Sequence, residues 1–131
     1  MEFAFVLDTS KGFEEAVVSL RRSVEAAKWG ILGSYDFSEI LASKGFPQEN
    51  RYKSLDICQP AHADKLLAAN QLTALCMPCK ALVYTEGKQT KIAAMRPGVV
   101  IPGVFGSKLP NLSEYTATID EELNAILLAA M

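Results

Sequence analysis

Apolar side chains recur at helical spacing at Phe13, Ala16, Val17, Leu20, Val24 and Ala27, one stripe along one stretch of chain. A helix of this kind has a face to bury and cannot bury it alone, so it demands a partner layer. The neighbouring sequence supplies one. Phe3 to Leu7 and Ile31 to Asp36 are short apolar runs of strand length on either side of the stripe. Glu14 and Glu15 near its start, with Arg21, Arg22 and Lys28 further on, follow the order that the helix dipole favours. Gly30 is expected to stop the helix.

The rest of the chain continues the mixture. Asp36 and Glu39 have capping-box spacing, with Tyr35 and Ile40 placed as a hydrophobic staple, so a short helix is expected to run to Lys44 and end at Gly45. Tyr52 to Cys58 reads as a strand. Pro60 suits the first turn of a helix, where its missing N–H is no loss, and that helix carries Ala63, Leu66 and Leu67 on one side before stopping near Asn70. Lys80 to Glu86 and Gln89 to Met95 form a hairpin about Gly87. The following RPGVVIPGVFGSKLP is apolar but so punctuated by glycine and proline that an extended covering segment is expected. A last helix places Ile119, Leu123, Ile126, Leu127 and Ala130 on one face, with Thr118 and Glu121 as its capping box. Hairpin-linked strands with interspersed helices predict a two-layer α+β fold, a mostly antiparallel sheet with helices packed on one face. With no repeat or polar linker, residues 1–131 read as a single compact domain.

Charge and cysteine usage narrow the function. A net charge of −2 leaves no basic field for a phosphate backbone, so nucleic acid is not an expected partner. The ILLAAM tail, the longest apolar run, falls far short of the roughly 20 residues that span a bilayer. Three cysteines, an odd number, in a chain that opens MEFAFVLDTS without a basic and apolar leader, predict a cytoplasmic protein rather than a disulfide scaffold.

Those cysteines are the main chemical signal. Cys76-Met77-Pro78-Cys79 has the spacing of a redox pair, but Ala81 to Thr85 after it read as a strand, whereas thiolate stabilisation wants a helix start. Cys58 differs: it lies at a strand-to-helix turn, where a thiol can meet helix N–H groups, although it reads first as a buried, inert cysteine. Cys58 and His62 are four apart and Cys76 and Cys79 three apart, so a Cys₃His zinc set is available by arithmetic. His62, the one histidine, reads first as a solvated helix residue, with haem ligation as an alternative. Asp36 has its capping explanation, and neither a G-x-x-x-x-G-K-[ST] nor a G-x-G-x-x-G motif occurs. Val99, Val100, Ile101, Val104 and Phe105 are too many to leave in water, so they cover the core, line a pocket or form an interface.

Gly30, Asp36 and Lys44-Gly45, then Cys58-Gln59-Pro60 with Ala63 and Leu66, then Pro78-Cys79 entering a Val-Tyr strand, together resemble the domain of unknown function 302 family over about residues 11 to 97. The specific element is a Cys-Asn-Pro-x-x-Ala signature with Pro-Cys about twenty residues later. Gln59 stands where the pattern has Asn, and Cys76 is additional to it. The resemblance implies a compact α+β fold, often homodimeric, without an established reaction, and it draws attention to Cys58 and Cys79.

The expected function is therefore a homodimeric module, without an assigned reaction, that binds a small ligand or partner protein near Cys58, Cys79, Pro60 and His62. A second copy is expected to cover the free side of the sheet together with the Val99 to Phe105 segment. The alternative is thiol chemistry, redox sensing or persulfide carriage on Cys58 or Cys79. Haem or metal binding through His62 stands third. If the strands that carry Cys58 and Cys79 are neighbours, the two sulfurs meet at one end of the sheet beside the helix that starts at Pro60.

Overall fold

In the computed structural model, which describes residues 2–106 and 112–131, one antiparallel sheet of five strands carries the helices. The strands are β1 (Ala4–Thr9), β2 (Gly30–Asp36), β3 (Tyr52–Cys58), β4 (Cys79–Glu86) and β5 (Gln89–Met95). The helices are α1 (Phe13–Ala26), α2 (Phe37–Ser43), α3 (Pro60–Ala69), α4 (Pro97–Phe105) and α5 (Ser113–Ala130), with a 3-10 helix at Gln71–Cys76. Strand order is β1-β5-β4-β3-β2, which puts the first two strands on opposite edges. The connecting helix must therefore cross the whole face. At 1.5 Å per residue the 14 residues of α1 reach about 21 Å, close to the roughly 19 Å across five strands.

Strand alternation sorts the side chains into two faces. Leu55, Ile57, Ala81, Val83, Ile92 and Ala94 point to the helices and join Phe13, Ala16, Val17, Leu20 and Val24 of α1 and Ile119, Leu123, Ile126 and Leu127 of α5 in one core. The opposite face carries Val6, Ser54, Leu82, Tyr84, Ala93 and Met95, with Phe37 and Leu41 of α2 at its rim. The expected α+β architecture holds, with α2 departing from the arrangement of helices on one side.

Several local expectations need correction. Helix α1 stops before Gly30: Ala27 is its C-cap, Lys28 takes φ 65°, and Gly30 opens β2. Ala27 is exposed, while Trp29 is buried at 4% exposure. Leu67 also faces solvent, leaving Leu66 as the buried residue of α3. Thr118 is an interior residue of α5 whose hydroxyl donates to the Glu114 carbonyl, so it caps nothing. At α2 the expected cap forms, with Asp36 accepting the Glu39 N–H at 3.0 Å. Gly45 takes φ 91°, and the Phe46-to-Leu41 and Gly45-to-Ala42 bonds complete a Schellman end.

The largest correction concerns residues 97–105, expected as an extended segment and found as α4; residues 107–110 of the same run lie outside the described residues. Pro97 occupies the first turn, and Gly106 takes φ 56° just past the end. Proline at the start and glycine after the end are helix-terminus signals, here mistaken for breakers. The missing cap comes from another helix. Asp120 of α5, 6% exposed, accepts the Gly98 N–H at 2.7 Å and the Arg96 Nε–H at 3.0 Å. A carboxylate at a helix start is favoured by the dipole as well as by the bonds. Residues 99–105 thus pack on α5 in their own chain, with Ile101 in the core, although Val104 remains exposed.

This cap explains a requirement at Gly98, where a Cβ would lie 2.6 Å from Asp120 Oδ2. Gly98→Ala is expected to lower unfolding free energy by about 1–3 kcal/mol through overpacking, and Asp120→Ala by a comparable amount, since it strands the Arg96 charge. Urea denaturation followed by Trp29 emission measures both, and an unchanged midpoint for either variant would contradict the account.

Candidate functional site

In the β3–β4 register Ile57 lies opposite Cys79. Cys58 at the end of β3 and Cys79 at the start of β4 therefore stand at the same end of the sheet, as the neighbouring-strand reading expected. Chain direction then turns into α3 through Gln59 and Pro60. The 3-10 helix returns the chain to the same place and delivers Cys76, followed by Met77 and Pro78, at the mouth of β4. As expected, a strand and not a helix follows Cys79.

All three cysteines and the single histidine line one cleft, which Trp29 and Ile101 also border. Its open space is about 30 Å³, room for roughly one water molecule. Pro60, in the first turn of α3, does not line the cleft, so of the four residues singled out from sequence, Cys58, His62 and Cys79 meet there and Pro60 serves to start α3.

His62 is not the solvated residue that its helix position suggested. Its side chain is 15% exposed and both ring nitrogens are engaged by α5. Nε2 stands 2.6 Å from Glu122 Oε2, and Nδ1 pairs with the Tyr115 hydroxyl. A carboxylate only accepts, so in the neutral ring Nε2–H donates to Glu122 and Nδ1 accepts the Tyr115 O–H. Burial and the Glu122 carboxylate push the Tyr115 phenol above its usual value, which keeps that proton available to donate. The Trp29 and Tyr115 rings meet the imidazole edge-on at 5.8 Å and 5.3 Å. His62 thereby ties α3 to α5. Haem or metal ligation would need one of its occupied nitrogens, and among the described residues no group of three or more His, Cys, Asp or Glu side chains is placed to hold a metal ion.

The start of α3 is not an open donor site either. Gln59 Oε1 accepts the Ala61 N–H at 2.6 Å, and the Gln59 carbonyl takes those of His62 and Ala63. The longer amide at this position therefore performs an N-cap function. Burial, followed by the nearby Cys58, Asp120 and Cys76, pushes the Cys79 thiol up to about 12. Burial also raises Cys76. The cleft favours neutral species.

Trp29, Tyr115 and Glu122 escaped the sequence reading. Tyr115 and Glu122 are seven apart on α5 and so share a face, but nothing local links that face to His62. Trp29 follows an end of α1 that was placed too late. The indole Nε1–H of Trp29 is one of two buried side-chain polar atoms without a partner among the described residues, the Ser54 hydroxyl being the other.

These features define an α+β protein in which one end of a five-stranded antiparallel sheet, closed by α3 to α5, holds a small thiol-lined cleft. The chain belongs to the family described as domain of unknown function DUF302, whose model matches residues 5–130. That range extends the resemblance at both ends and takes in α4 and α5. A solved structure, the uncharacterized conserved protein DUF302 from Bacillus stearothermophilus, is 29% identical, with a TM-score of 0.92 and 100% of each chain covered. No curated protein matches the chain.

The raised Cys79 thiol has a consequence for stability. Because the folded state keeps a proton that the unfolded chain releases near 9.0, stability is full below that value and falls as pH rises from about 9 toward about 12. Cys79→Ala is expected to flatten this decline. A chemical denaturation series over that interval checks it, and an identical alkaline slope in both proteins would remove the assignment.

Proposed function

We propose that this protein is a cytoplasmic homodimeric binding module whose small-ligand site is the Cys58/Cys76/Cys79/His62 cleft. The observation that carries the reading is the convergence of every cysteine and the one histidine, from the two segments 58–62 and 76–79, on one cleft. The raised thiols of Cys76 and Cys79 and a fully bonded imidazole suit recognition of an uncharged group better than nucleophilic attack. The tight volume suits a very small molecule or the tip of a larger one. All three cysteines are free thiols, in keeping with a reducing compartment. The second copy would sit beside the cleft, where Leu72 and Leu75 of the 3-10 helix are 61% and 82% exposed and Val104 of α4 is 68% exposed.

Redox or persulfide chemistry is the second reading, and the same cluster of sulfurs supports it. A thiol held protonated at neutral pH is a poor nucleophile, which weighs against Cys79 and leaves such chemistry to rest on Cys58.

Native mass spectrometry of freshly purified protein tests the proposal. The expected result is a dimer of two 14.2 kDa chains carrying a retained small mass, which Ala63→Phe, by filling the cleft, removes. Leu75→Glu combined with Val104→Glu is expected to give monomers. A bare wild-type monomer would overturn the proposal, whereas rapid iodoacetamide labelling of Cys58 in the folded protein would favour the redox reading.

A further inference from the structure

The sheet face turned away from α1 and α5 carries a separate site. Val6, Leu82, Tyr84 and Met95 form its floor, and Phe37 and Leu41 of α2 wall one side. The trough encloses about 640 Å³, a size in the range of small-molecule pockets and far larger than the thiol cleft. Tyr52 and Tyr84 lie parallel within 5°, their centroids 6.5 Å apart, and offer a flat aromatic surface.

Ser54 gives this trough a polar point. It lines the trough at 2% exposure, and its hydroxyl has no hydrogen-bond partner. A buried hydroxyl left unpaired is unfavourable, and a ligand oxygen that parts the side chains over it would relieve it. Charge decides what kind of ligand fits. Lys80, at the rim, is already held by Asp56 at 2.6 Å. At the far end of the same face Lys91 is held by Glu86 at 3.0 Å and approached by Asp8 at 3.7 Å. With its neighbouring cations neutralised within the chain, the face matches an uncharged occupant.

We infer that the trough binds an uncharged, mainly apolar ring compound bearing one hydrogen-bonding oxygen, which lies along Tyr52 and Tyr84 and pairs with the Ser54 hydroxyl. This site is independent of the thiol cleft, because the sheet lies between them.

Titration of the full chain at neutral pH with 2-naphthol, naphthalene and 2-naphthoate, followed by backbone NMR shifts of β3 and β4, tests the inference. The expected order is 2-naphthol tightest, naphthalene about fivefold weaker for want of the hydrogen bond, and 2-naphthoate weakest. Ser54→Ala is expected to erase the gap between 2-naphthol and naphthalene. Leu82→Glu is expected to abolish binding, with unchanged Trp29 emission certifying the fold on the other side of the sheet. Equal affinity for 2-naphthol and naphthalene in the wild type, or preference for the carboxylate, would overturn the inference. So would a wild-type dimer that takes up no naphthol and that Leu82→Glu splits into monomers, since the face would then belong to a second copy.

Discussion

The buried carboxylate of Asp120 fixes together parts of the chain that are far apart in sequence. It fixes the Arg96 guanidinium and the first N–H of α4 at once. Arg96 in turn donates its backbone N–H to Phe3, lies over the Phe5 ring at 4.8 Å and reaches the Glu2 carbonyl. One ion pair therefore ties the edge strand β1, the end of β5, and helices α4 and α5. Such a pair does not stabilise by its charge alone, because desolvation offsets much of the attraction. Its value here is geometric. It tells a segment rich in proline and glycine where to begin a helix, and that helix closes the thiol cleft with Ile101.

The same interaction explains why the sequence misled at one place and served well elsewhere. Strands β3, β4 and β5, the Gly87 hairpin, α1 and the Asp36-to-Gly45 helix were legible because their determinants are local: alternation, stripe, cap and turn within a few residues. Helix α4 was not, since its cap lies 22 residues away on another helix. Its own prolines and glycines count as breakers unless that partner is known. The 3-10 helix at Gln71–Cys76 gave no periodic signal, being too short for one. In the candidate site, Cys58 and Cys79 could be brought together from strand order alone. The partners of His62 could not, because they depend on how α5 crosses α3, a tertiary fact with no trace in residues 58–62.

The chemistry of the cleft follows from what each polar group has already been given. Gln59 consumes the free N–H groups of α3, while Tyr115 and Glu122 consume the imidazole. What remains is three thiols, one unpartnered indole N–H and apolar walls. In so dry a setting burial outweighs what little could stabilise a thiolate, and the Cys79 proton stays in place. Burial thereby keeps Cys79 protonated beside a helix start whose foremost N–H groups Gln59 already occupies.

Strands β3 and β4 serve both faces of the molecule. Ile57 and Cys79 look toward the thiol cleft, while their neighbours Asp56 and Lys80 pair on the other side at the rim of the open trough. Successive side chains of a strand point to opposite faces, so a slip of β3 by one residue against β4 would exchange its two sets. It would turn the Asp56 carboxylate toward the helices and expose Ile57. The Asp56–Lys80 pair is partly exposed and adds little energy by itself. A one-residue slip is costly, because the Asp56 carboxylate would then be buried among apolar side chains away from Lys80. The register of this one pairing accordingly fixes the character of both sites, the thiol cleft under the helices and the aromatic trough on the bare face.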